Sequence, residues 1–246
     1  MLQIQPEFVD GNKYLTTAIK HELTFEVLEL SMPGGANADA VEWYKKCGKV
    51  TSLHGAFVDV NPASNDALIR DASIKRCEES LRLASALGAK NVVFHSSCFP
   101  FLRGKYLDAW AQKSAEYYVS AADRYGVDVF VENSFDLDPT PLSELVKRAN
   151  NKRVRACLDI GHASYSRTPL EEWFAALDGF IGYIHISDND GLFDDHKTLG
   201  EGTVDLALAS RLSSSIGDIP TTLEVRGVDA IERSVDYLKS RSLFGM

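Results

Sequence analysis

The stretch Val127-Asp128-Val129-Phe130-Val131-Glu132 carries a valine at every second position and ends in a carboxylate. With a side-chain period of two, the valines take one face of a strand and Glu132 the other. Helical patterns frame it. Leu107–Tyr125 precedes it, stopped by Gly126, and Thr140-Pro141 opens a helix with Leu142, Leu145, Val146 and Ala149 on one face. The same alternation repeats outward in both directions. Strands are expected at Leu2–Gln5, Phe25–Leu30, Val50–Phe57, Asn91–His95, Val127–Glu132, Val154–Asp159, Phe180–Ile186 and Pro220–Val225. Ala67–Leu87 reads as a helix stopped by Gly88. Thr168-Pro169-Leu170-Glu171 reads as a capping box with proline in the first turn, and weaker helical stretches follow the first, second, seventh and eighth strands. Eight β-α units without a compositional break predict a mostly parallel sheet, and eight closes a (β/α)8 barrel of about 250 residues. An open doubly wound sheet would want a glycine-rich first turn, and Phe8-Val9-Asp10-Gly11 is not one. Residues 1–246 are therefore expected to form a single α/β domain, a (β/α)8 TIM barrel.

Composition narrows the function. The chain has 246 residues, with 26 Lys and Arg against 35 Asp and Glu, a net charge of −9. Such a chain has no general attraction for nucleic acid or anionic membrane, and no run approaches the roughly 18 apolar residues of a membrane span. A hydrophobic share of 45% argues against disorder. Cys47, Cys77, Cys98 and Cys157 form no C-x-x-C pair, which argues against a thiolate zinc site and fits reduced thiols. Met1–Glu7 has neither a basic segment nor a long apolar run, so no signal peptide is expected and a cytoplasmic location is.

The ionisable residues gather at one end of the expected barrel. His54, His95, His162, His185 and His196 lie at or just beyond strands, and Glu132, Asp159 and Glu224 end others. Val92 and Phe94 oppose His95, Ile184 and Ile186 oppose His185, and Leu223 and Val225 oppose Glu224, so the ionisable members face the barrel axis at the C-terminal mouth. A lone strand-end histidine is ordinarily a hydrogen-bonded core residue, and a lone carboxylate there ordinarily caps a helix. Asp194-Asp195-His196 by itself would be a solvated loop. Together, His54, His95, Glu132, Asp159, His162, His185, Asp194, His196 and Glu224 have too few Lys or Arg neighbours to be satisfied that way. Mixed imidazole and carboxylate donors suit Zn, Mn or Fe(II).

At these residues the chain resembles the xylose-isomerase-like TIM barrels, the superfamily that holds endonuclease IV and many sugar-phosphate isomerases and epimerases. The matching segments are Leu53-His54-Gly55-Ala56-Phe57, Phe94-His95-Ser96-Ser97, Val131-Glu132-Asn133, Cys157-Leu158-Asp159-Ile160-Gly161-His162-Ala163, Ile184-His185-Ile186-Ser187-Asp188, Asp194-Asp195-His196 with Leu199-Gly200-Glu201-Gly202, and Leu223-Glu224-Val225. They run in family order over nearly the whole chain. The resemblance to endonuclease IV implies up to three ions. His54 and His95 would bind one, with Glu132 bridging to a second completed by Asp159, His185 and Glu224; His162, Asp194 and His196 would hold the third. Glu29 resembles an acidic position common among the sugar isomerases and epimerases and implies a substrate contact. The chain departs from the nuclease. Ser31-Met32-Pro33-Gly34-Gly35 has no DNA-gripping arginine, Phe57-Val58 is the one apolar pair where a wedge would sit, and the length leaves little room for insertions.

The leading expectation is a sugar or sugar-phosphate isomerase or epimerase that uses one to three divalent ions, zinc or manganese. A metal on Glu132, Asp159, His185 and Glu224 would stabilise an enediolate, with Glu132 and Glu224 as acid and base. His162 would orient a substrate hydroxyl, and Arg226, Arg103 or Lys105 would meet a phosphate. The alternative is an endonuclease IV-like phosphodiester hydrolase with two or three zinc ions. A non-catalytic barrel ranks last, because so dense an ionisable cluster costs stability without return. The expected partner is a small carbohydrate or sugar phosphate, with neither tight duplex DNA binding nor membrane contact.

Overall fold

Eight parallel strands close on themselves in sequence order: β1 (Leu2–Ile4), β2 (Thr24–Leu28), β3 (Val50–His54), β4 (Asn91–His95), β5 (Asp128–Glu132), β6 (Val154–Asp159), β7 (Ile181–Ile186) and β8 (Thr221–Leu223), which pairs with β1. This computed structural model describes residues 1–31, 38–166 and 168–246. Around the barrel run α1 (Gly11–Lys20), α2 (Ala38–Cys47), α3 (Ala67–Leu87), α4 (Lys105–Tyr125), α5 (Thr140–Ala149), α6 (Ile160–Tyr165), α7 (Leu170–Ala176), α8 (Leu206–Ser214) and α9 (Val228–Arg241). The expected (β/α)8 architecture is the observed one.

The period of two sorts the side chains. Ile4, Phe25, Val27, Leu53, Val92, Phe94, Val129, Val131, Leu158, Ile184 and Leu223 are buried in the layer between strands and helices. Each large side chain buried there contributes about 1.5–3 kcal/mol. Val93, Phe130, Cys157 and Tyr183 point inward and fill the barrel. The long helices are capped as their sequences dictate. Asp66 accepts hydrogen bonds from Leu68 N at 2.9 Å and Ile69 N at 3.2 Å to start α3, and Gly88, at φ 75°, ends it in the left-handed conformation.

Several boundaries differ from expectation for local reasons. β3 ends at His54 rather than Phe57, because Ala56 N leaves the sheet for Ser80 Oγ on α3 at 3.0 Å. β2 ends at Leu28, and Glu29–Ser31 makes a 3₁₀ turn instead of extending the strand. The capping box at Thr168 does not form. Its hydroxyl donates to Leu137 O at 2.8 Å, and the helix begins at Leu170 without a side-chain cap. Met32–Gly35, the arginine-free loop, lies outside the described residues. Among the described residues no helix is long and apolar enough to cross a membrane, and all four cysteines are free.

Candidate metal and active centre

Each strand sends two successive residues inward, two positions apart. The lower ones are Gln3, Glu26, Ser52, Val93, Phe130, Cys157, Tyr183 and Thr222, and the upper ones Gln5, Leu28, His54, His95, Glu132, Asp159, His185 and Glu224. The stagger between strands sets upper beside lower where His54 meets Val93, Glu132 meets Cys157 and His185 meets Thr222. Strand register sets the neighbours: His95 lies opposite Glu132, and Asp159 opposite His185. Above the upper residues opens a cavity of about 520 Å³. His54, His95, Glu132, His162, Asp194, His196 and Glu224 line it, with Val9, Leu28, Leu30, Phe57 and Val225 as apolar wall. A hollow of about 630 Å³ elsewhere, lined by Met1, Ile184, Arg211 and Phe244 among others, contains no histidine, glutamate or cysteine.

Glu132, Asp159, His185 and Glu224 form the one four-membered group among the described residues, each offering a donor atom within 4.8 Å of the others. His185 Nδ1 lies 3.3 Å from Glu224 Oε1, 3.5 Å from Glu132 Oε2 and 3.9 Å from Asp159 Oδ2. Ligand bonds of about 2.0–2.2 Å put donors on one ion roughly 3–3.5 Å apart, so the spacing fits a divalent cation after slight contraction. Asp159 Oδ2 and His185 Nδ1 are buried without a hydrogen-bond partner, and Glu132 Oε1 lies 3.1 Å from His162 Nδ1. Unsatisfied buried polar atoms are costly, and a carboxylate oxygen and an imidazole nitrogen left so 3.9 Å apart, among two further carboxylates, mark a site suited to a cation.

His54, His162 and His196 are aimed by backbone. His54 Nδ1 contacts Gly55 O at 3.0 Å, His162 Nδ1 contacts Asn133 O at 2.7 Å, and His196 Nδ1 contacts Glu224 O at 2.8 Å. A carbonyl oxygen only accepts, so each Nδ1 carries the hydrogen and each Nε2 faces inward. His54 Nε2 meets Glu132 Oε2 at 3.2 Å, and His95 Nε2 meets the same oxygen at 3.5 Å. His162 and His196 bring Nε2 to Asp194 Oδ2 at 3.3 and 2.9 Å. A bare nitrogen lone pair facing a carboxylate oxygen is repulsive, so either a proton or a cation must stand between them.

Without a metal, protons fill that role. Burial alone would lower His196, but Asp194 and Glu224 outweigh it and raise it to about 9. His162 and His185 are held well above the ordinary imidazole range against the same burial, by Asp159 and Asp194 for the first and by Cys157, Glu224, Glu26 and Glu132 for the second. Burial opposes ionisation of Glu132 and Glu224 too, yet neighbouring imidazoles hold both below the usual carboxylate range. Asp159 goes up through burial, reinforced by Glu224 and Glu132. His95 goes the other way, pushed down to about 3 by burial.

The loop 189–204, which carries Asp194 and His196, is organised by Asp188. This buried carboxylate accepts from Asn189 N and Val204 N on Oδ1 and from Gly200 N and Gly202 N on Oδ2, at 2.9–3.1 Å. Gly202 passes so close that a Cβ there would collide with Asp188 Oδ1.

All nine expected metal-ligating residues thus meet at the mouth. Glu29 does not reach the cavity: the 3₁₀ turn swings it toward α3, where Arg76 Nη2 contacts it at 2.7 Å and Ser80 also donates to it. Arg226 is exposed at the cavity rim and has no ion pair among the described residues. Arg103 donates to Pro100 O and Leu102 O and lies 3.7 Å from Asp138, away from the cavity lining. Lys105 sits over the Tyr106 ring. Reasoning from sequence missed Glu26 and Gln5. Glu26 sits between Phe25 and Val27 as His185 sits between its isoleucines, so the same alternation marks it.

The barrel with a histidine–carboxylate mouth defines the class, and comparison supplies the family. Residues 24–241 match the family model of the xylose isomerase-like TIM barrel. The chain belongs to that family. It is similar to the uncharacterised protein MJ1614 of Methanocaldococcus jannaschii, 27% identical over 94% of this chain and 95% of that one. Among solved structures it resembles the TTHB071 protein of Thermus thermophilus, soaked with ZnCl2, at a TM-score of 0.82 and 24% identity, over 97% and 96% of the two chains. It also resembles a D-tagatose 3-epimerase-like protein at a TM-score of 0.80 and 22% identity, over the same shares.

Proposed function

We propose that this chain is a divalent-metal-dependent isomerase or epimerase of small sugars or sugar phosphates, its 246 residues acting as one barrel domain. The observation that carries the reading is the pair of unpartnered buried atoms, Asp159 Oδ2 and His185 Nδ1, beside Glu132 beneath an open cavity of about 520 Å³. With Glu224 they would hold a zinc or manganese ion, which when bound polarises a carbonyl and its neighbouring hydroxyl and acidifies the adjacent C–H. Glu132 on β5 and Glu224 just after β8 flank the cavity floor from two sides. One carboxylate takes the proton from carbon and keeps it, while the other, entering as the acid, delivers its own solvent-derived proton to the opposite face. His162, anchored through Nδ1, presents Nε2 to a substrate hydroxyl. The apolar wall of Val9, Leu28, Leu30, Phe57 and Val225 excludes water around the reacting carbon, and Arg226 at the rim meets a phosphate where the substrate has one. The zinc-soaked and epimerase-like structural neighbours support this reading, and the free cysteines support a reducing, cytoplasmic setting.

A second reading, a phosphodiester hydrolase with two or three zinc ions, is favoured by the set His54, His95, His162, Asp194 and His196, which a one-metal isomerase does not require. The deciding experiment counts metals by elemental analysis. It then incubates the loaded protein with free ketohexoses and their phosphates in D2O, following deuterium wash-in by NMR. Abasic-site DNA at low salt is the parallel substrate. One metal with wash-in and no nicking supports the isomerase. Three metals with efficient nicking overturn it in favour of the hydrolase.

A further inference from the structure

Below the candidate metal ligands lies a carboxylate with no part in the chemistry above. Glu26 on β2 is fully buried, as are Tyr183, His185 and Thr222 around it. Its Oε2 accepts from the Tyr183 hydroxyl at 2.6 Å and from Thr222 Oγ1 at 3.2 Å, and faces His185 Nε2 at 3.1 Å. Its Oε1 accepts from Gln5 Nε2 at 2.8 Å, and that same nitrogen donates to Glu224 Oε1. Glu26 thus reaches two of the four candidate ligands, one directly and one through a single amide.

We infer that Glu26 is a positioning residue that aims His185 Nδ1 and Glu224 at a shared metal ion; the inference rests on the metal centre proposed above. An ionised carboxylate only accepts, so the hydrogen on His185 belongs on Nε2, pointing down at Glu26. That leaves Nδ1 to face Glu132, Asp159 and Glu224, and Nδ1 is the atom without a partner. A carboxylate on the far nitrogen fixes the ring's tautomer and rotation and strengthens it as a ligand. Gln5 has one amide group to serve both glutamates. Its two N–H bonds fit only while each glutamate presents an oxygen. Tyr183 and Thr222 hold Oε2 in place from the β7 and β8 side, and Gln3 Nε2 backs the Tyr183 hydroxyl at 2.8 Å.

Glu26→Gln keeps the shape and breaks this logic. If the new amide turns its oxygen toward His185, Tyr183 and Thr222, its NH2 faces the NH2 of Gln5. Gln5 must then flip, setting its oxygen against Glu224. If the new amide turns the other way, a donor faces the His185 N–H. Either arrangement disturbs one ligand. The test is zinc affinity, read by competition with a chromophoric chelator at pH 7 and independent of any substrate. Glu26→Gln should weaken zinc binding about 10- to 100-fold. Tyr183→Phe, which removes one O–H from the same oxygen but leaves the His185 link, should lose clearly less affinity than Glu26→Gln. Equal affinity for Glu26→Gln and wild type overturns the inference, as does an equal loss in Tyr183→Phe, which would make the effect one of the polar layer as a whole. Wild-type protein that is folded and binds no zinc overturns the metal reading itself, and this inference with it. Should Glu26→Gln not fold, long-range ¹H–¹⁵N spectra of the zinc-loaded wild type decide. The resonance assigned by its loss in His185→Gln should show hydrogen on Nε2 and metal on Nδ1; the opposite assignment overturns the inference.

Discussion

Replacing Asp188 with asparagine tests how the mouth is held in shape. Asp188 is 1% exposed, and each of its oxygens accepts two backbone N–H groups from the loop that follows β7. Asparagine keeps one oxygen and turns the other into an NH2. Two of the four bonds are lost, and a donor is pressed against two donors. Hydrogen bonds to a charged group contribute about 1.5–3 kcal/mol each, so the substitution should cost roughly 3–6 kcal/mol. A whole domain is stable by only about 5–15 kcal/mol, and the loop is peripheral to the barrel core, so it should open before the barrel unfolds. Amide hydrogen exchange measures this directly. Protection at Gly200, Gly202 and Val204 should fall at least about 100-fold, the equivalent of roughly 3 kcal/mol, while Val129 and Val131 in β5 keep theirs. Because Asp194 and His196 ride on the same loop, their approach to His162 should loosen with it. Unchanged protection at Gly200 and Gly202 would refute the claim that this carboxylate organises the loop.

Glu224→Gln should reduce turnover on the true substrate at least about 100-fold while the melting temperature moves little; near-normal turnover would remove Glu224 from the reaction. Stripping metal with a chelator should leave the barrel folded by circular dichroism at about 25 °C, since the apolar core does not depend on the ion; a random-coil spectrum would contradict this. Metal binding at pH 7 should release protons. His185 titrates above its ordinary range in the metal-free chain, and the Asp159 carboxyl is pushed up to about 7 by burial, so both give up a proton on coordination and affinity falls as pH falls. Calorimetry in buffers of different ionisation enthalpy reads that release. Asp136, buried with its carboxyl pushed up to about 6 by burial, binds a proton more readily folded than unfolded, so its contribution to stability is present at low pH and lost as pH rises through about 6. Asp136→Asn should therefore be more stable than wild type at pH 7.5, by on the order of 2 kcal/mol, with the gap closing toward pH 4, as thermal melts at the two pH values would show.

Strands were legible because each pairs an aliphatic face with an ionisable one, and that pattern located His95, Glu132, His185 and Glu224 as well as the barrel. Glu26 carries the same pattern in mid-strand, below the strand ends where barrel chemistry gathers. Glu29 was legible as acidic and near a strand end, but not as belonging to α3. Its direction depends on where β2 stops, and that stop brings it to Arg76 and Ser80, 47 and 51 residues away. The aim of His54, His162 and His196 rests on backbone carbonyls whose positions exist only once the barrel has closed. Thr168 followed the same rule: its capping pattern was local, and a distant carbonyl at Leu137 took its hydroxyl.

The plug beneath the mouth sets the traffic of the molecule. Val93, Phe130, Cys157 and Tyr183 fill the barrel below the ionisable layer, with the Phe130 and Tyr183 rings 5.1 Å apart. Among the described residues the cavity lining lies above this plug, so the chamber opens toward the mouth. On the isomerase reading, substrate, water and protons share that opening, and a bound molecule is its own stopper. Product vacates before the next molecule enters, and the two glutamates trade protons with bulk water between turnovers. Residence time and solvent isotope uptake are then linked, set at the rim by the residues around Val9, Phe57, Asp194 and Arg226.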